Sequence, residues 1–289
     1  MALPTFAIIG AMKCGTTSVH HYLQEHPEIQ MPVIKETNFF SGPADGIPYP
    51  PGSKRIEDLK TYEQLFDPTY RVRGEASPCY TLYPRRKGTP ERISALMPEA
   101  KLIYLVRDPV ARALSQYHFS VSVEAERRSV HEALKDLSDP NSLYTCPGFY
   151  AVQIEQYLHY FRQDQILVVD QADLLARRRD TLQEMFAFLE VDSSFVSPVF
   201  DEEKNTGDEQ RTYSKFIVLQ RRAQASPLVH RLPRRLRRFA RQSIEKVVSR
   251  PLEKPILDDD LQHHLRAVYS SDVTRLRELT GKRFPTWSL

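Results

Sequence analysis

The chain lacks any long apolar run. Nowhere in its 289 residues is there a stretch near the ~20 consecutive apolar residues that cross a bilayer. An apolar segment already begins at Phe6, which leaves no room for a signal peptide ahead of it, so the expected compartment is the cytoplasm. Cysteine is scarce. Cys14, Cys79 and Cys146 are an odd, scattered set with no CxxC pair and no metal-ligand spacing. They exclude a disulfide scaffold or a zinc module and read as reduced thiols, and no metal is expected. No internal repeat is visible. Net charge is small, formally +3, which gives no general case for nucleic-acid binding. The exception is local: residues 221–241 hold eight arginines and no acid. A solvated helix surface is the plain reading of that stretch. Contact with an anionic membrane surface or a polyanionic acceptor comes next, and nucleic acid last, because no recognition motif accompanies it.

What is present is an alternation of strands and helices. Apolar runs at Phe6–Gly10, Val72–Glu75, Leu102–Arg107 and Ile166–Asp170 read as strands. Helical periodicity lies between and after them, at Thr17–Gln24, Pro90–Met97 with Thr89 as cap, Val110–Phe119, Tyr150–Phe161, Thr181–Leu189 and Asp259 to about Leu279. This order predicts an α/β fold in three layers, a central parallel sheet flanked by helices, with ligands at the carboxyl ends of the strands. Residues 1–289 read as one domain, mainly helical from about residue 213. Residues 41–56 and 200–212 read as surface loops, and the tail around Trp287 as folding back to pack.

The start of the chain, FAIIGAMKCGTTSVHHYL, carries the sharpest local signal. An apolar strand runs into Gly10 and Gly15, which bracket Lys13. Thr16, Thr17 and Ser18 then open a helix. Strand, glycine-bearing loop and helix N-terminus together offer backbone N–H groups to a phosphate, with a lysine and three hydroxyls added. An ordinary βα turn is the competing reading. The loop is not the nucleoside-triphosphate loop GxxxxGK[ST], because Lys13 lies inside it and Cys14, not a hydroxyl, follows that lysine. Cys14 lies within the loop, where positive potential lowers a thiol pKa, although its neighbours already supply the binding groups.

GAMKCGTTSVHHYLQEHP resembles the 5′-phosphosulfate loop of sulfotransferases that use 3′-phosphoadenosine 5′-phosphosulfate. KETNFFSG, residues 35–42, resembles the active-site segment of the carbohydrate (heparan-sulfate-type) branch. KLIYLVRDPVARALSQYHF, residues 101–119, resembles the family's 3′-phosphate segment. All three stand in that branch's order and spacing, and the resemblance runs from residue 5 to about 170. It implies a phosphate-loop-like fold, that donor, and an acceptor hydroxyl or amine on a carbohydrate or small molecule.

The resemblance also implies roles. Lys13 would stabilise the bridging oxygen of the leaving phosphate, with Cys14, Gly15, Thr16, Thr17 and Ser18 around the 5′-phosphate. Glu36 would take the acceptor's proton, with Phe39 and Phe40 as apolar neighbours of the kind that suit a general base. Read without the flanking motifs, Glu36 is a surface glutamate paired with Lys35, and Lys35 is also a candidate for the sulfonate. His20, His21 and His118 are the rival bases, the first two inside the first helix and the third a candidate helix-surface residue. Arg107 and Ser115 would hold the 3′-phosphate, since arginine grips phosphate bidentately. Asp108 reads as a helix cap and Arg112 as structural or substrate-facing. GEASPCY, residues 74–80, is read equally as an acceptor-cleft segment or as a strand followed by a proline turn. Arg211, in KNTGDEQR, is a further 3′-phosphate candidate. That loop departs from the heparan-sulfate branch, which carries a disulfide and a KGR triplet there, so acceptor and nucleotide lid stay open. Arg86-Lys87-Gly88 lies in the wrong region to replace the triplet.

Two other classes compete. A nucleotide kinase or NTPase would need the missing GK[ST] and a magnesium carboxylate. A non-catalytic nucleotide- or polyanion-binding module would have no use for Lys13, Glu36, Arg107 and Ser115 together.

Overall fold

The computed structural model describes residues 2–42, 55–123, 125–135, 139–201, 211–212, 250–251 and 255–289. The arginine-rich 221–241 stretch and most of the 41–56 and 200–212 loops lie outside the described residues.

Five strands form one parallel sheet: β1 (Phe6–Gly10), β2 (Ile29–Gln30), β3 (Val72–Ala76), β4 (Lys101–Val106) and β5 (Ile166–Asp170), in the order β2-β3-β1-β4-β5. Every pairing is parallel. β1 is buried along its whole length, and in β4 only Lys101 is not. That is why these two strands read as unbroken apolar runs rather than alternating ones. A further two-residue pair, β6 (Arg211–Thr212) with β7 (Arg250–Pro251), is antiparallel.

The helices are α1 (Thr16–Leu23), α2 (Leu59–Glu63), α3 (Thr89–Leu96), α4 (Pro109–Ser122), α5 (Val130–Lys135), α6 (Tyr150–Leu158), α7 (Gln171–Ala176), α8 (Arg178–Leu189) and α9 (Asp259–Thr280). Asp108 caps α4, its carboxylate accepting from the N–H of Ala111 at 2.8 Å, as its place before Pro109 predicts. The cap of α3 differs from expectation: Gly88 occupies it, in a left-handed conformation, and Thr89 is the first helical residue.

The chain builds β1, β2 and β3 to one side, then crosses to place β4 and β5 on the other. The reversal falls between β1 and β4. Open α/β sheets bind ligands at such a reversal, beyond the carboxyl ends of the strands. The loop that carries Lys13 leaves β1 there, and Arg107 directly follows β4.

Candidate active site

The loop between β1 and α1 is held tightly. The N–H of Ala11 bonds to the carbonyl of Leu105 on β4 at 2.7 Å, and the N–H of Cys14 to the carbonyl of Ala11 at 3.2 Å. Gly10 must be glycine, because a Cβ there would meet the Thr81 hydroxyl at 2.0 Å. Gly15 turns at φ 92 into α1, a conformation that glycine adopts without cost. Lys13 itself sits at φ 70, unusual for a residue with a side chain.

Lys13 points toward α4. Its ammonium lies 4.4 Å from the centroid of the Phe119 ring, a cation–π contact. Ser115 and Phe119 are four residues apart and share one helix face, so Ser115 is brought to the same side as Lys13. Burial pushes the Lys13 pKa down from 10.5 to about 8, and Arg107 and Arg112 push it the same way. Cys14 and Glu36 act in the opposite sense. The fold therefore gathers Arg107, Arg112 and Glu36 within electrostatic reach of Lys13, with positive charge in excess. A phosphate dianion is the group that such a cluster accommodates. Arg112 is fully buried and donates from Nη2 to the carbonyl of Tyr144, so it anchors α4 while adding to the potential.

Cys14 differs from expectation. Its thiol is buried, 3.6 Å from the Tyr150 hydroxyl, and burial pushes its pKa up to about 11. The positive potential is present, but desolvation of a thiolate outweighs it. Thr16 is buried, Thr17 exposed and Ser18 half-buried. Arg107 and Ser115 are half-buried, and the N–H of Arg107 donates to the Tyr150 hydroxyl at 3.3 Å. For Arg211 only the backbone, in β6, is described.

Glu36 enters from the other side. Its N–H bonds to the carbonyl of Ala76 at the end of β3 at 3.0 Å, and its carboxylate pairs with Lys35 at 2.5 Å. The side chain is 43 % exposed. Phe39 and Phe40 pack elsewhere: Phe39 stacks on Tyr62 at 4.1 Å, and Phe40 lies against Tyr62 and Tyr80. Like Lys13, Glu36 has positive φ, at 63, and so has Asn38, at 53.

A residue that sequence reasoning passes over holds this segment. Glu75, fully buried on β3, accepts hydroxyl bonds from Thr37, from Tyr80 at 2.7 Å and from Ser77 at 3.3 Å. Ser77 in turn accepts the N–H of Asn38 at 3.1 Å, and Tyr80 that of Phe40 at 3.2 Å. Burial raises the Glu75 pKa, against the lowering effect of its hydroxyl donors. GEASPCY is thus a strand followed by a short 3₁₀ turn, Pro78–Tyr80, whose acid faces the interior and carries the Glu36 segment. A lone Glu in a strand gives no sign of that.

The rival histidines are placed as follows. His20 is buried, and burial with Lys35 nearby lowers its pKa to about 4, which makes it a poor proton acceptor at neutral pH. His21, also on α1, is half-buried, its ring 6.1 Å from that of Tyr22. His118 is buried rather than on a helix surface, because it falls on the inward side of α4. No group of three His, Cys, Asp or Glu among the described residues has the arrangement of a metal site.

Fold and site together define an α/β nucleotide-phosphate enzyme whose loop lysine is not of the triphosphate kind. The family model described as "Sulfotransferase domain" matches residues 3–216. The chain belongs to the sulfotransferase family, and this sets aside the kinase and NTPase reading. A crystal structure of a sulfotransferase from Alicyclobacillus acidocaldarius is similar over 100 % of both chains, with TM-score 0.73 and 28 % identity. Among curated relatives, the membrane-associated sulfotransferase kil1 of Dictyostelium discoideum is 41 % identical over 122 residues, which cover 42 % of this chain and 24 % of that protein. The bifunctional heparan sulfate N-deacetylase/N-sulfotransferase 4 of Mus musculus is 27 % identical over 291 residues, 85 % of this chain and 32 % of that one. The chain thus spans a quarter to a third of the length of these two relatives. No described helix is long and apolar enough to cross a membrane.

Proposed function

We propose that the site takes 3′-phosphoadenosine 5′-phosphosulfate as donor and moves its sulfuryl group to a hydroxyl or amine of a carbohydrate or small-molecule acceptor. The 5′-phosphate lies on the loop from Lys13 to Ser18, and the 3′-phosphate on Arg107 and Ser115, with Arg211 as a further contact. The acceptor atom attacks sulfur as the bond from sulfur to the bridging phosphate oxygen breaks. Lys13 stabilises the charge that collects on that oxygen, and Glu36 takes the acceptor's proton. The acceptor class rests on the sulfotransferase relatives and on the KETNFF segment. Residues 1–289 act as one such domain. Three free cysteines support a reducing, cytoplasmic setting.

One observation carries this reading: Arg107, Arg112 and Glu36 all lie within electrostatic reach of Lys13 at the sheet reversal, with positive charge in excess. Positive φ at both Lys13 and Glu36 adds support, since backbone strain concentrates where a side chain must be held for chemistry.

Thermal shift tests the donor assignment. Adenosine 3′,5′-bisphosphate at a hundred times its Kd stabilises by about 2.7 kcal/mol and raises the melting temperature by several degrees. ATP with Mg²⁺ at the same concentration is expected to leave it nearly unchanged. The reverse ranking overturns the reading.

A further inference from the structure

The last residues of the chain repeat one contact at two neighbouring strand ends. Asp108, which follows Arg107 at the end of β4, caps α4 with Oδ1, and its Oδ2 accepts the backbone N–H of Ser288 at 2.6 Å. Asp170, at the end of β5, caps α7 with Oδ1, accepting from the N–H of Ala172 at 3.1 Å. Its Oδ2 accepts the indole N–H of Trp287 at 3.0 Å. Each carboxylate thus has one oxygen on its own helix and one on the tail.

The tail is itself anchored. Gly281 ends α9 at φ 67 and turns the chain. Trp287 is buried, stacks on Phe284 at 4.3 Å, and lies 5.7 Å from the ring of Tyr150. Arg277 donates to the terminal Leu289 oxygen at 2.8 Å. Tyr150 is also the residue whose hydroxyl receives the N–H of Arg107 and meets the Cys14 thiol. The Gln171 and Leu174 side chains of α7 lie within 3.8 Å of where a Cβ on Gly15 would stand. Tail, both strand ends and phosphate loop therefore form one packed unit.

We propose that Trp287 and Ser288 are positioning residues for the donor site. They touch no substrate. The Ser288 N–H occupies the second oxygen of Asp108 at the corner between β4 and α4, and the Trp287 indole N–H that of Asp170 at the corner between β5 and α7, which anchors the residue next to Ser288. A carboxylate left without that donor seeks another, and for Asp108 the guanidinium of Arg107, one residue before it, is the candidate. The tail thereby keeps Arg107 available to the 3′-phosphate. The inference rests on the donor placement proposed above.

The test is calorimetry of adenosine 3′,5′-bisphosphate and adenosine 5′-phosphate with the full chain, as wild type, Ser288→Pro and the double variant Trp287→Phe/Ser288→Pro. Phenylalanine keeps a buried ring and removes the indole N–H, while proline removes the backbone donor at 288. The wild-type preference for the bisphosphate is expected to fall by about threefold or more in Ser288→Pro, and further in the double variant, where the anchor beside Ser288 is also lost. Affinity for the 5′-phosphate should change much less. A preference equal to wild type in the variants, with both affinities intact or both weakened together, makes the tail ordinary packing and overturns the inference. Absence of any preference in the wild type overturns the donor placement and this inference with it. Melting temperatures without ligand confirm folding, and Ser288→Pro alone decides if the double variant does not fold.

Discussion

The Lys13 ammonium rests 4.4 Å above the ring of Phe119, so the loop after β1 and the middle of α4 meet through one cation–π contact. The contact holds the lysine among arginines, in a place where its charge is costly until an anion arrives. Two expectations follow directly from that cost.

The first is a pH dependence. The Lys13 pKa of the ligand-free protein is lowered to about 8, and the bound donor stabilises the protonated form. Donor affinity should therefore be flat below pH 8 and weaken above it, by up to about tenfold per pH unit. At pH 8, binding should take up a fraction of a proton, visible as a dependence of binding heat on buffer ionisation enthalpy. An affinity flat from pH 7 to 9.5 contradicts the placement of Lys13 at the donor.

The second concerns stability. The folded pKa of Lys13 lies below its ordinary 10.5, so its protonation costs stability at neutral pH, and the cost fades as pH rises through 8 toward 10.5. Its left-handed backbone adds roughly 1–2 kcal/mol of strain that glycine does not bear. Lys13→Gly should thus stabilise the ligand-free protein by about 1 kcal/mol in urea unfolding, while abolishing turnover. A loss of stability means that the lysine serves the fold rather than the site.

Glu36 has a different signature. Glu36→Gln should leave affinity for adenosine 3′,5′-bisphosphate within about threefold of wild type and lower turnover by roughly 10²-fold or more. The dissociation of the two effects follows from its place on a different segment, bonded to the end of β3 rather than carried by the loop of Lys13. Turnover near the wild-type level sinks its role as base. His21 and His118 are then the next positions to vary, ahead of His20, whose pKa near 4 makes it the poorest acceptor of a proton.

Glu75 should act through stability. Glutamine in its place offers one acceptor oxygen where Thr37, Ser77 and Tyr80 all donate, and its amide N–H₂ confronts hydroxyls of which those of Ser77 and Tyr80 already accept the N–H groups of Asn38 and Phe40. Glu75→Gln should cost about 2–3 kcal/mol in chemical unfolding, the range for losing charge-assisted buried bonds. A change well under 1 kcal/mol shows that the hydroxyls find other partners and that the hub is dispensable.

Sequence and structure agree best where a feature is local. β1, β4 and β5 are legible because buried parallel strands leave apolar runs, and Asp108 because a cap needs only its own helix. Lys13 and Arg107 stand inside contiguous strand–loop–helix motifs and lie within electrostatic reach of each other. What escapes is short or distant. β2 is two residues, Ile29–Gln30, too few to show a period, and α2 and α5 are nearly as brief. Tyr150 meets Arg107 from 43 positions away and Cys14 from 136. Trp287 reads as an anchor from its place in the tail, but its partner Asp170 lies 117 positions off. The Cys14 thiol pKa fails for another reason: potential is visible in a motif, whereas burial, which wins there, is a property of the assembled core.

The central claim is sulfuryl transfer from the phosphosulfate donor at a site built on Lys13, and it is tested most directly by the transfer itself. The donor is incubated with the protein, a panel of hydroxyl and amine acceptors and excess EDTA, and both products are followed by mass spectrometry. Cys14, whose thiol faces Tyr150, follows Lys13 where a hydroxyl follows the lysine of a triphosphate loop, so chelation should not matter. The account predicts a sulfated acceptor and adenosine 3′,5′-bisphosphate in equal amounts, undiminished by EDTA and lost in Lys13→Ala. No transfer to any acceptor, together with Mg²⁺-dependent hydrolysis of ATP, would contradict it.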